Sequence, residues 1–73
     1  MTINERIRAL REDNDLTQTE LAERIHSNQR RISRIERKDT EITHEEIIEY
    51  CFYFKVSADY ILGLPEGLPY PKR

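Results

Sequence analysis

Apolar residues recur along this chain at helical spacing, and each recurrence opens on a hydroxyl or amide side chain. After Thr2, the positions Ile3, Ile7 and Leu10 share one helical face, and the polar run Asp13-Asn14-Asp15 closes the segment near residue 13. Leu21, Ala22 and Ile25 follow Thr17 at spacings that form one stripe, predicting a second helix of about two turns. His26-Ser27-Asn28 interrupts it. Ile32 and Ile35 then lay a narrow apolar stripe on a third helix, which begins near Asn28 and runs through Arg34 with its other faces almost wholly polar. Lys38 to Ile42 reads as a loop. Thr43 opens a fourth helix with Ile47, Ile48, Tyr50, Cys51 and Phe54 as its apolar positions. Ser57 caps a short fifth helix carrying Ala58, Tyr60, Ile61 and Leu62, which stops at Gly63, a residue that tolerates the left-handed backbone common past a helix end.

Three of these starts carry a second signal. A threonine followed three residues later by glutamate lets hydroxyl and carboxylate satisfy each other's orphan amides, and the pattern occurs at Thr2/Glu5, Thr17/Glu20 and Thr43/Glu46. Ser33/Glu36 has the same spacing and is rejected, because Ser33 lies inside the third helix. The pattern predicts an all-α domain over residues 1–64. Residues 65–73 form a Pro-containing tail, expected to be extended or frayed.

With 73 residues there is room for one domain, and a chain this short hides only about 60% of its unfolded surface. A single cysteine excludes an internal disulfide, and Cys51 with His26 and His44 offers no zinc-site spacing. Cys51 is expected to pack on helix four. The start MTINERIRAL carries charges where a signal peptide is apolar, and no run approaches the roughly 20 apolar residues of a membrane span. A soluble cytoplasmic protein is the expectation. No phosphate loop, paired-carboxylate arrangement or nucleophile motif is recognisable, so neither catalysis, a cofactor nor a small-molecule ligand is expected.

Net charge is −2, which by itself argues against a nucleic-acid partner. Its distribution along the chain argues the other way. Residues 23–38 hold six basic side chains against two acidic ones, whereas residues 39–60 hold six acidic side chains and only Lys55. The cationic stretch runs from the end of helix two through helix three, two short helices across a tight break, the arrangement of a helix-turn-helix. Counting from Asn28, Gln29, Arg30, Ser33 and Arg34 fall on the outward arc opposite Ile32 and Ile35. Arginine can pair with guanine O6 and N7, glutamine with adenine N6 and N7, and serine with either base type. Arg31, Arg37 and Lys38 flank this arc and suit phosphate oxygens, as do Thr17 and Gln18 at the start of helix two. A charge run alone is more often a solvated helix face; the helix-turn-helix context is what favours DNA.

The segments LTQTELAERI, ISRIER and VSADYILGL resemble the Cro/phage-repressor-like, or XRE-type, helix-turn-helix regulators over residues 3–64. The resemblance implies a five-helix, lambda-repressor-like fold with helix three as recognition helix. It implies that Gln18 contacts phosphate and that Gln29, Arg30 and Arg34 stand at base-reading positions. Arg11 and Glu36 match an arginine and a glutamate that pair internally in some relatives, which moves Glu36 from the DNA face to the fold. Many relatives have glycine where this chain has His26 and Lys55, just past helix ends. Ser27 stands where valine often fills the turn.

Tyr50, Phe54 and Tyr60 match core positions. Phe52 and Tyr53 stand where relatives are usually polar or small, so one or both rings are expected to be exposed and to mark an interface. The expectation is a two-fold homodimer using Phe52, Tyr53, Leu64, Leu68 and Tyr70, its recognition helices about 34 Å apart on a near-palindromic operator, with the acidic helix four facing away from DNA. The function expected is a sequence-specific transcriptional regulator, most simply a repressor. The alternative is a protein-interaction module, an antitoxin or antirepressor-like adaptor, which a salt series separates from a DNA binder.

Overall fold

The computed structural model describes residues 1–65, 67 and 69. Five helices occur in the order α1 (Ile3–Asp13), α2 (Gln18–Arg24), α3 (Gln29–Glu36), α4 (His44–Phe54) and α5 (Ala58–Leu62), with no strand among the described residues. All three threonine boxes form. The amides of Glu5, Glu20 and Glu46 donate to the hydroxyls of Thr2, Thr17 and Thr43, and each carboxylate accepts the amide of its threonine in return. Asn28 Oδ1 accepts the Arg31 amide at 2.9 Å and Ser57 Oγ the Tyr60 amide at 3.3 Å, so the other two helices are capped on one side only.

The five helix ends share one device. Each passes into a left-handed residue, Asp15, His26, Lys38, Lys55 or Gly63. The next amide then turns back to the carbonyl five residues earlier: Leu16 to Arg11, Ser27 to Ala22, Asp39 to Arg34, Val56 to Cys51 and Leu64 to Asp59. This closure satisfies carbonyls that the helix itself leaves unpaired. Only the last of the five uses glycine. There a Cβ would come within 3.3 Å of the Arg6 guanidinium, so crowding adds to the cost of φ +74°.

Ile7 and Leu10 of α1, Leu21, Ala22 and Ile25 at α2, Ile32 and Ile35 of α3, Tyr50 of α4 and Ile61 of α5 form the buried core. Each large side chain there contributes about 1.5–3 kcal/mol over exposure. Ile47, Cys51, Phe54, Leu16 and Val56 pack half-buried around it. Two residues expected inside are not. Tyr60 is 47% exposed, and its ring lies under the Arg6 guanidinium at 5.8 Å; Ile48 is 51% exposed. Neighbours on a helix point about 100° apart, so a narrow stripe takes Ile61 and Ile47 and turns Tyr60 and Ile48 outward. The Tyr50 hydroxyl is buried without a hydrogen-bond partner among the described residues, and burial pushes this phenol far above its ordinary range, helped by the carboxylates of Glu36 and Glu46. No described helix is long and apolar enough to cross a membrane.

Candidate nucleic-acid interface

Helix α3 packs against α1 and α2 through Ile32 and Ile35, which leaves its polar residues to divide between the fold and solvent. Glu36 belongs to the fold. Its two oxygens accept from Arg11 Nε at 2.7 Å and Nη2 at 2.9 Å, and Gln18 Nε2 adds a third bond at 3.1 Å. With Arg11 12% and Glu36 2% exposed, the pair is well shielded, and Arg11 Nη1 also donates to the Leu16 carbonyl. The bond to Glu36 raises the Arg11 pKa further, so the cation is permanent. A two-pronged arginine–carboxylate contact fixes orientation as well as charge. The C-terminal end of α3 is thereby locked to α1, and Asn4 Nδ2, donating to the Ile35 carbonyl, reinforces the attachment.

Gln18 and Gln29 meet as well. Gln29 Nε2 donates to Gln18 Oε1 at 2.7 Å, so a chain of contacts runs from Arg11 through Glu36 and Gln18 to Gln29. Gln29 stays exposed, with its amide oxygen and one N–H uncommitted. The Thr17 hydroxyl accepts the Glu20 amide and turns toward the Glu20 carboxylate, which the Thr17 amide and hydroxyl together hold below its ordinary range.

Arg31 departs from expectation. Its spacing from Asn28 suggests a phosphate contact, yet its guanidinium is held by both oxygens of Glu46, by Thr40 Oγ1 and by the Glu41 carbonyl. This bond depresses the Glu46 carboxyl below its ordinary range against a smaller opposing effect of burial. The first turn of α4 is thereby tied directly to the first turn of α3. Sequence spacing could not reveal this partnership, since Glu46 lies in another element.

Arg30 and Arg34 are exposed, with neither an ion-pair nor a hydrogen-bond partner among the described residues. Ser33, half-buried, stands between them in sequence. Arg37 pairs with Asp39 at 3.2 Å and Lys38 with Glu5 at 3.6 Å, all four side chains more than half exposed. Such open pairs are worth little and exchange readily for another anion. Phe52 is 80% exposed and Leu64 46%. Of the two rings, Phe52 is the exposed one; Tyr53 is half-buried, its ring meeting Phe54 edge-on at 5.0 Å and its hydroxyl accepting from Arg24 Nη1. Leu68 and Tyr70 lie outside the described residues.

Among the described residues, five helices without a strand, two of them across a tight break and the second carrying unpaired arginines, define a helix-turn-helix domain of the kind found in DNA-binding transcription regulators rather than enzymes. A family profile described as Helix-turn-helix matches residues 7–61, and the chain belongs to that family, in its Cro/phage-repressor (XRE) branch. Among solved structures, the chain is similar to a crystal structure of the P22 c2 repressor protein in complex with synthetic operator 9T in the presence of Tl+. Sequence identity is 31% and the TM-score 0.77, over 85% of this chain and 94% of that one. Comparison with curated protein sequences gives no match.

Proposed function

We propose that this protein is a sequence-specific repressor that reads the major groove of double-stranded DNA with α3. The observation that carries the reading is the division of labour on that helix. Gln29, Arg31 and Glu36 have partners in the fold, whereas Arg30 and Arg34 are exposed and unpaired among the described residues. Arg30, Ser33 and Arg34 are the proposed base readers, joined by the free half of the Gln29 amide. Gln18, the Thr17 hydroxyl, Arg37 and Lys38 are the proposed phosphate contacts, the last two by exchanging Asp39 and Glu5 for the DNA backbone. Similarity to a repressor whose structure holds a synthetic operator supports the reading as a double-stranded DNA binder. Occlusion of a promoter is the simplest action for such a domain.

Selection of bound sequences from a random duplex pool tests this directly, because it reads binding, preference and half-site spacing together. Arg34→Ala is then expected to weaken the selected duplex by about 1–3 kcal/mol and to relax preference at one position. Unchanged affinity and preference would remove Arg34 from the base-reading set. We further propose a two-fold homodimer through Phe52 and Leu64. It would present two recognition helices about 34 Å apart, one turn of duplex, to a near-palindromic site.

A further inference from the structure

Of the arginines on α3, Arg31 alone has its guanidinium engaged on every nitrogen. Nε and Nη2 donate to the two oxygens of Glu46 at 2.7 and 2.6 Å, Nη1 to Thr40 Oγ1 at 3.0 Å, and Nη2 again to the Glu41 carbonyl at 2.9 Å. The acceptor is itself anchored: Glu46 Oε1 also takes the Thr43 amide at 2.9 Å, so one carboxylate caps α4 and holds α3. Both side chains are about three-quarters shielded, at 25% and 23% exposure, unlike the open pairs of Arg37 and Lys38. Releasing Arg31 to a phosphate would exchange one anion for another. It would also leave the Glu46 carboxylate uncompensated beside a polyanion. The closed pair is therefore the state compatible with bound DNA.

We infer that Arg31 is a positioning residue for DNA recognition: with Glu46 it clasps the first turn of α3 to the loop at 38–42 and to the first turn of α4, setting the angle at which Arg30, Ser33 and Arg34 meet base edges. The inference rests on the DNA-binding reading above. Its mechanical basis is the placement of the remaining links. Gln29 ties α3 to α2, and Ile35 and Glu36 tie it to α1; among the described residues, the Arg31–Glu46 pair is the one polar side-chain link from α3 to α4. Without it, one flank of the recognition helix loses its restraint. Specific binding suffers more than nonspecific binding, because base-edge contacts demand an orientation that phosphate contacts tolerate losing.

The test uses the duplex selected by the wild-type chain and a scrambled duplex of equal length, titrated over a salt series. Arg31→Met, Arg31→Lys, Glu46→Gln and the double variant Arg31→Met/Glu46→Gln are compared, each first checked for helical circular dichroism. Each single variant is expected to weaken the selected duplex on the order of tenfold, within the range of one lost base-edge pairing. Affinity for the scrambled duplex and the salt slope stay at their wild-type values in Arg31→Lys and in the charge-balanced double variant, and on the selected duplex the double variant is no worse than either single one. Arg31→Lys behaves like Arg31→Met, because an ammonium keeps the charge without the two-pronged grip. A phosphate contact gives the opposite pattern. Arg31→Lys then stays near wild type, Arg31→Met loses about 0.9 from the slope on both duplexes, and Glu46→Gln binds more tightly by freeing a cation; this pattern overturns the inference. Should Arg31→Met fail to fold, Arg31→Lys and Glu46→Gln still separate the two roles. A wild-type chain that enriches no duplex overturns the DNA-binding reading itself, an outcome distinct from any change among variants.

Discussion

At the scale of single residues, this chain places side chains where backbone geometry favours glycine. Asp15, His26, Lys38 and Lys55 all adopt positive φ to close a helix. A left-handed L-residue costs about 1–2 kcal/mol, partly offset because glycine loses more freedom on folding. Lys55→Gly is therefore expected to stabilise the domain by about 0.5–1 kcal/mol, a rise in melting temperature of roughly 2–8 °C, with DNA affinity unchanged. A lowered melting temperature would mean that the lysine contributes a contact worth more than the strain. Tyr50 is a second residue whose cost is visible, since its hydroxyl is buried and unpartnered. Tyr50→Phe is expected to be neutral or stabilising by up to about 1 kcal/mol at pH 7. The fold favours the neutral phenol and holds its pKa high, mainly through burial, so Tyr50's contribution is fully present below the unfolded value near 10 and falls as pH rises above it. Denaturant melts between pH 9 and 11 should show wild-type stability dropping more steeply than that of Tyr50→Phe.

Elements are legible in this sequence wherever their determinants are local. A threonine and a glutamate three apart specify a helix start from within one turn, and the three boxes and five caps lie where spacing places them. Periodicity excludes Ser33/Glu36, whose glutamate is held by Arg11 and Gln18 instead. What spacing cannot choose is which of two adjacent apolar residues enters a narrow stripe, and so it groups Ile48 with Ile47; the inward place expected for Tyr60 follows from resemblance to relatives. Nor does spacing show partners in other helices. The Arg11–Glu36 pair follows from resemblance to relatives, whereas the Arg31–Glu46 pair has no such pointer and Arg31 reads as a phosphate contact. That second pair also gives α4 an acid-sensitive start. The Arg31 guanidinium, then the Thr43 cap, hold the Glu46 carboxyl low despite burial, so its contribution is present above the unfolded value near 4.3 and is lost as pH falls through the folded one. Glu46→Gln should flatten the acid limb of stability below about pH 4.5. An acid limb as steep as that of wild type would assign the transition to other carboxylates.

For the whole molecule, a net charge of −2 is divided so that cations collect on α3 and its edges and anions on and around α4. The structure qualifies that division, because Arg11 and Arg31 are neutralised internally and Arg30 and Arg34 remain unpaired among the described residues. Exposure of Phe52 and Leu64 motivates the proposed dimer, and Phe52→Glu is expected to weaken self-association by at least about tenfold while leaving the monomer folded. Sedimentation at micromolar concentration, with and without the selected duplex, measures this; a wild-type chain monomeric in both would defeat the dimer. The network around α3 has a consequence for how such a protein changes its target. If the reading at 30, 33 and 34 holds, these positions can be rewritten by point substitution with the scaffold intact, and a lineage can drift between operators one residue at a time. A recognition helix transplanted whole from a relative would instead arrive with residues at 29, 31 and 36 whose counterparts at 18, 46 and 11 stayed behind. Redesign of this domain therefore has to move those pairs together or leave them alone.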